Sequence, residues 1–221
     1  MNARINEHPD LRASNGSAHS FQDIGSSINI VFTPDWNELV VGLSKKKPVY
    51  KHPCGKIEAC DVSSVVYLND WQREYLTAEN CARRELFRET GIIETEHEER
   101  IKLEYVRTLH GASGALRQYH FLVLLKQKLD LEKDIIEADE MNPPEYWSVI
   151  TALNGGEGGK KLNPYHQLAL CKCIQEMVRA GIGHDKAFPG FGQLLMNIYD
   201  SGIDLDAYTL KLEGMIERRE I

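Results

Sequence analysis

The chain has 221 residues, 42% hydrophobic and 27% charged, with a net charge of -7. That length carries one well-buried core plus an appendage rather than two large domains, and the acidic balance disfavours nonspecific binding to nucleic acid. No apolar run approaches the ~20 residues that span a bilayer, and Met1-Asn2-Ala3-Arg4-Ile5-Asn6-Glu7 lacks the apolar stretch of a secretory signal, so the expected setting is the cytoplasm, away from the membrane.

Residues 1–26 are rich in Asn, Ser, His and Gly and are expected to form a flexible N-terminal arm. From Ser27 the pattern turns apolar. Residues 28–32 and 38–43 read as strands, Lys45-Lys46-Lys47-Pro48 as a basic turn, and Val49-Tyr50-Lys51-His52 as a third strand. It runs into Pro53-Cys54-Gly55, where proline ends ladder pairing and glycine permits a sharp turn. Residues 62–76 are expected to be an inserted extended piece, through Val65-Val66-Tyr67-Leu68, closed by Asn69-Asp70. A helix is then expected over 77–90, with Thr77 as its cap, Ala82, Leu86 and Phe87 as its buried stripe and Gly91 ending it in a left-handed conformation.

Residues 101–109 and 118–126 read as a strand pair joined by Gly111-Ala112-Ser113-Gly114, and 146–150 as a further strand. The glycine-rich 154–161 is flexible by composition, and it is no P-loop because Lys160 is followed by Lys161. A helix from Asn163-Pro164 runs to about 180 and stops at Gly181. Two more helices follow, the last with Tyr208, Leu212, Met215 and Ile216 on one face, suited to packing on this domain or on a second copy in a homodimer. The domain reading is therefore an arm at 1–26, a main domain at 27–181 with the insertion at 62–76, and a C-terminal helical extension at 182–221.

The five cysteines are expected to be reduced and mostly packed, since their number is odd and Cys171-x-Cys173 on a helix points its thiols ~200° apart. His52-x-Cys54 with Cys60 lacks the second Cys/His pair of a zinc site. Of the aromatic residues, Trp36, Tyr67, Trp71, Tyr119 and Trp147 are candidates for stacking on a base, although core packing is the commoner fate.

Strands, a glycine turn, an acidic helix, more strands and a closing helix predict an α/β layout, with helices packed on the faces of a mixed sheet. Glu85, Arg88 and Glu89 are spaced i, i+3 and i+4 and project from one helix face. Mg²⁺ or Mn²⁺ is commonly held by one or two carboxylates plus substrate phosphate, so Glu85 and Glu89, with the Gly55 carbonyl and Glu58, form a candidate metal site.

Pro53-x-Gly55-Lys56-Ile57-Glu58 followed by Ala82-Arg83-Arg84-Glu85-Leu86-x-x-Glu89-x-Gly91-Ile92 resembles the Nudix box, the signature of hydrolases of nucleoside diphosphates linked to another moiety. The resemblance implies an α/β/α sandwich, a nucleotide-derived small-molecule substrate, and a water activated by metal and carboxylate. It implies Glu85 and Glu89 as ligands, either of them doubling as base, and Arg84 as the residue that orients them and the Gly55 loop. A downstream acid is expected to complete the site, from among Glu137, Glu140 and Glu145, with Glu145 first because it adjoins a strand.

Three departures from the pattern stand out. The carboxylate at Gly55 plus six is the shorter Asp61, about fifteen extra residues separate it from Arg84, and Arg88 stands where a third carboxylate belongs. At ~5 Å and an effective dielectric of ~20, a guanidinium repels a divalent cation by roughly 6–7 kcal/mol before screening. Arg88 is better suited, with Lys56, to an anionic substrate. Two readings stay open: a divalent-metal-dependent pyrophosphohydrolase, and a catalytically silent nucleotide-binding or scaffold module.

Overall fold

Alternation along the strands sorts the apolar residues onto two faces of one sheet. The computed structural model describes residues 24–62, 70–92, 98–111, 114–131, 143–182, 188 and 190–218. Among these, seven strands form a mixed sheet: β1 (Ile24–Phe32), β2 (Glu38–Leu43), β3 (Tyr50–Lys51), β4 (Cys54–Lys56), β5 (Glu98–Gly111), β6 (Gly114–Leu125) and β7 (Glu145–Ser148). The order is β3-β2-β1-β6-β5, with β4 paired to β1 and β7 to β2. β1 runs parallel to β6, with Ile28 opposite His120 and Ile30 opposite Leu122, and antiparallel to β2 and β4. Five helices accompany it: α1 (Asp70–Thr90), α2 (Val149–Leu153), α3 (Pro164–Arg179), α4 (Phe191–Asp200) and α5 (Leu205–Glu217). The expected α/β arrangement holds, with helices on both faces of the sheet.

The face carrying Ile28, Ile30, Phe32, Leu39, Val41 and Trp147 packs against α2 and α3. On the opposite face, Val31, Val40, Val123 and Leu125 meet Leu86 of α1, while Tyr119 and Phe121 meet Tyr75, Ala78 and Ala82. Each fully buried Val, Leu, Ile or Phe side chain contributes about 1.5–3 kcal/mol, so these two seams fix where α1 lies. Trp36 is wholly buried and has its ring 5.1 Å from Phe32 and 5.2 Å from Phe191. Together with buried Tyr119 and Trp147, it belongs to the core rather than to a stacking platform.

Several boundaries differ from expectation. β1 begins at Ile24 rather than 28, because its first residues pair with β6. α1 begins at Asp70 instead of 77: Thr77 is wholly buried and its hydroxyl donates to the Arg73 carbonyl at 2.8 Å, as inside a helix. Tyr75 and Ala78 extend the buried stripe upstream, and this tertiary packing overrides the cap signal. Residues 70–76 of the expected insertion are thus helical, and Val65-Val66-Tyr67-Leu68 lie outside the described residues. The last strand stops at Ser148, whose hydroxyl accepts from Thr151 N and caps α2, so Val149 and Ile150 are helical.

Residues 154–161 form a set of tight turns rather than a loose linker. Gly156 has φ +113°, and a Cβ there would fall 2.0 Å from the Lys160 carbonyl oxygen. Asn163 caps α3 as expected, its side chain accepting from Tyr165 N at 2.9 Å. Phe191, Leu194 and Ile198 of α4 and Leu212 of α5 join the same buried cluster as α3, so these helices pack on the main core. Among the described residues, no helix is long and apolar enough to cross a membrane.

Candidate active site

The site forms where β3 and β4 lead into the loop before α1. Gly91 at φ +69° ends α1, and its N–H bonds the Phe87 carbonyl at 2.7 Å, which fixes the last turn carrying Arg88 and Glu89, one turn beyond Glu85. The short turn over Ala59–Asp61 is closed by Asp61, whose carboxylate accepts from Glu58 N at 2.8 Å. Asn29, buried on β1, donates to the Ala82 carbonyl at 2.9 Å and ties the middle of α1 to the sheet.

Arg84 stitches loop to helix. Its fork donates to both Asp61 oxygens at 2.8 and 2.9 Å, and its Nη2 also reaches the Lys56 carbonyl at 2.9 Å. Burial pushes the Asp61 carboxyl up, but Arg84 and the Glu58 N–H outweigh it and hold the group below the usual range. The same hydrogen bond raises Arg84 further above its ordinary value. Asp61 is only 2% exposed. The spacing from Gly55 marked this position, but its role as the anchor of Arg84 was not among the expected site roles.

Glu85 and Glu89 stand one turn apart, 7% and 5% exposed. Glu85 Oε1 is met by Arg84 and lies 3.6 Å from Arg88 Nη1, and no hydrogen bond reaches its Oε2 among the described residues. Glu89 is held on both oxygens, by Lys51 Nζ at 2.7 Å and by Cys54 N at 2.8 Å. Burial raises both carboxyls above their ordinary value, offset in part by Arg84 and Arg88 at Glu85 and by Lys51 at Glu89. Gly55 presses onto Glu85: a Cβ there would fall 2.2 Å from Glu85 Cδ and 2.4 Å from Oε1. Its carbonyl lies 3.5 Å from Cys81 Sγ. Glu58 sits at the rim, 55% exposed in its side chain, with Oε1 3.6 Å from Arg84 and 4.0 Å from Arg88. Lys56 is exposed on the same loop.

Lys51, Cys54, His52 and His166 were not expected here. His52 N donates to His166 Nδ1 at 3.1 Å, linking β3 to α3 through the layer behind the site. Burial lowers His52 to about 4 and holds His166 well below its ordinary value, so both imidazoles are neutral. Burial also pushes the Cys54 thiol up to about 12, which leaves it protonated.

Glu145 is not brought to this cluster. Trp147, in phase with it on β7, packs on the α3 face, whereas Tyr146 packs with Leu86 on the α1 face. Strand alternation therefore directs Glu145 to the face opposite Glu85 and Glu89. There it accepts from Lys160 Nζ at 2.9 and 2.7 Å. Burial raises its carboxyl, but Lys160 and Tyr50 outweigh it and hold the group below the usual range. Glu137 and Glu140 lie outside the described residues.

The donors fit one divalent cation. Two carboxylates one turn apart and a loop carbonyl leave coordination positions for water and phosphate, the usual arrangement for Mg²⁺. The absent Cβ at Gly55 is what brings the loop against Glu85. Among the described residues no three His, Cys, Asp or Glu side chains form a ready cage, and Lys51, Arg84 and Arg88 already offset the carboxylates.

No family model matches the chain, and no curated protein matches it. Among solved structures, the chain is similar to the NUDIX domain of Shewanella oneidensis NrtR complexed with ADP ribose, at 12% identity and TM-score 0.49, over 78% of this chain and 94% of that one. A MutT/nudix family protein from Enterococcus faecalis is 14% identical at TM-score 0.48, over 83% and 76%. The E. coli dihydroneopterin triphosphate pyrophosphohydrolase is 11% identical at TM-score 0.47, over 66% and 92%.

Proposed function

We propose that this chain is a divalent-metal-dependent pyrophosphohydrolase acting on a nucleoside diphosphate derivative, with Mg²⁺ or Mn²⁺ as its cofactor. The observation that carries the reading is the buried pair Glu85 and Glu89 beneath a loop where only glycine fits. The resemblance of this segment to the Nudix box supports it.

Glu85, Glu89 and the Gly55 carbonyl would hold the cation, with Glu58 at the rim. Bound there, a divalent ion polarises phosphate oxygens and lowers the pKa of water. The chain's own residues supply the rest. A carboxyl raised by burial is a better proton acceptor near neutral pH, which suits Glu85 or Glu89 to take the proton of the attacking water. The water oxygen bonds to phosphorus, the bridging P–O bond breaks, and the leaving phosphate keeps the electron pair. Arg88, 38% exposed in its side chain, and exposed Lys56 would be available to meet the phosphates, and Arg84 holds loop and helix in register.

The test is product release with Mg²⁺ or Mn²⁺ over a panel of nucleoside diphosphate derivatives, with Glu89→Gln alongside. Metal-dependent cleavage lost in the variant is the expected result. No cleavage by folded protein anywhere on the panel would favour the second reading, a silent nucleotide-binding or scaffold module. The observation on that side is the three cations, Lys51, Arg84 and Arg88, packed among the carboxylates.

Two further proposals accompany the reading. A cytoplasmic setting is supported by five free thiols. Pairing of two copies through the C-terminal helices is supported by exposed Met196, Tyr199 and Leu210.

A further inference from the structure

Lys51 and Glu89 form a close, shielded ion pair, with Nζ 2.7 Å from Oε1 and side chains 14% and 6% exposed. The second oxygen of Glu89 accepts from Cys54 N, so both are engaged before any ligand arrives. At Glu85 the cations gather on Oε1, and no hydrogen bond reaches Oε2 among the described residues. The two carboxylates are therefore unequal. An ammonium and a divalent cation on one carboxylate oxygen repel each other, and the repulsion is strongest where water is scarce. Lys51 also has the means to leave, since a compact charge on a four-carbon stem can swing away where a guanidinium fork would hold on.

We propose that Lys51 is an internal competitor for the cation: its ammonium occupies Glu89 when no metal is bound and must be displaced before Glu89 can serve as a ligand. This rests on the reading of Glu85 and Glu89 as ligands given above. Without substrate, the cation enters through Glu85 and the Gly55 loop and is held weakly. Full use of Glu89 accompanies departure of Lys51 from that carboxylate, and its ammonium then turns toward an incoming phosphate.

The test is Mn²⁺ titration without substrate, read by electron paramagnetic resonance of the free ion, on the full chain and on Lys51→Met, Lys51→Arg and the double variant Lys51→Met with Glu89→Gln. Lys51→Met is expected to bind Mn²⁺ at least about tenfold tighter, a gain of about 1.4 kcal/mol. Adding Glu89→Gln should erase that gain, and Lys51→Arg, whose fork grips a carboxylate on two sides, should bind no tighter than the parent. Thermal melts identify any variant that fails to fold. If Lys51→Met does, the Lys51→Arg comparison decides, and tighter binding by it overturns the proposal. Equal binding by the parent and Lys51→Met, or a gain that survives Glu89→Gln, overturns the proposal while leaving Glu85 and Glu89 as ligands. No binding by any folded variant overturns both.

Discussion

Gly55→Ala isolates the contact on which the site depends. The added Cβ would lie 2.2 Å from Glu85 Cδ and 2.4 Å from both Cγ and Oε1. Ordinary carbon contacts of about 3.5 Å require the two to part by about 1.3 Å. The atom struck is the far end of a flexible side chain, so the carboxylate yields rather than the fold, and Glu85 is displaced from its present place against the Gly55 loop. A displacement of about 1 Å of a positioned group costs on the order of a hundredfold in rate. The expected result is kcat/KM down by about a hundredfold on whichever panel substrate is cleaved, with Mn²⁺ binding weakened. Gly55 has no positive φ, so alanine strains no backbone and the Tm should move by only a few degrees. Parent-like turnover and Mn²⁺ affinity in a folded Gly55→Ala protein would refute the claim that the close approach sets the Glu85 carboxylate.

Arg84→Met strips Asp61, 2% exposed, of its fork; urea unfolding should show a loss of about 3–5 kcal/mol, the usual cost of an orphaned buried charge. His52, neutral and buried, gives stability a defined acid limb. Its folded pKa of about 4 lies below the unfolded 6.5, so its contribution is complete above pH 6.5 and is lost as the pH falls toward 4, by roughly 3 kcal/mol. Glu85 and Glu89, raised by burial, act in the opposite sense. Comparing urea midpoints of the parent and His52→Phe from pH 7 to 4 separates the two, and an unchanged acid limb in the variant would count against the assignment. Gly156→Ala meets both a positive φ and the Lys160 carbonyl oxygen at 2.0 Å, so its thermal melt should reveal a loss of at least about 1–3 kcal/mol.

Much of this was legible in the sequence where a local rule governs the outcome. Gly91 and Asn163-Pro164 mark helix ends because termini need a left-handed residue or a side-chain acceptor, and the structure uses them so. The spacing of Glu85 and Glu89 placed them on one face for the same reason. What stayed hidden depends on contacts across the sheet. Lys51 reads as one residue of a short strand, and only the approach of β3 to the last turn of α1 gives it Glu89 as a partner. Thr77 offers a plausible cap, yet packing of Tyr75 and Ala78 on Tyr119 and Phe121 carries the helix back to Asp70. Glu145, expected beside a strand, is the first residue of β7, and strand phase, set by Trp147 entering the core, directs it to the other face.

The hydrogen bond from His52 N to His166 Nδ1 makes the carboxylate cluster mechanically dependent on a helix that contributes no ligand to it. β3 is only two residues long; β2 pairs it on one side, and on the other Tyr50 N donates to the Lys161 carbonyl and its own carbonyl accepts from Asn163 N, both at 2.8 Å, so α3 and the segment leading into it help to clamp β3 and thereby set where Lys51 and the Cys54 amide present themselves to Glu89. That helix is braced in turn by α5, through Gln175 to Asp206 at 2.6 Å and Lys172 to Glu213 at 2.9 Å. Slack introduced near the C-terminus would thus be transmitted through the protein and felt at Glu89, so the last helices belong to the working frame of the site rather than to its periphery.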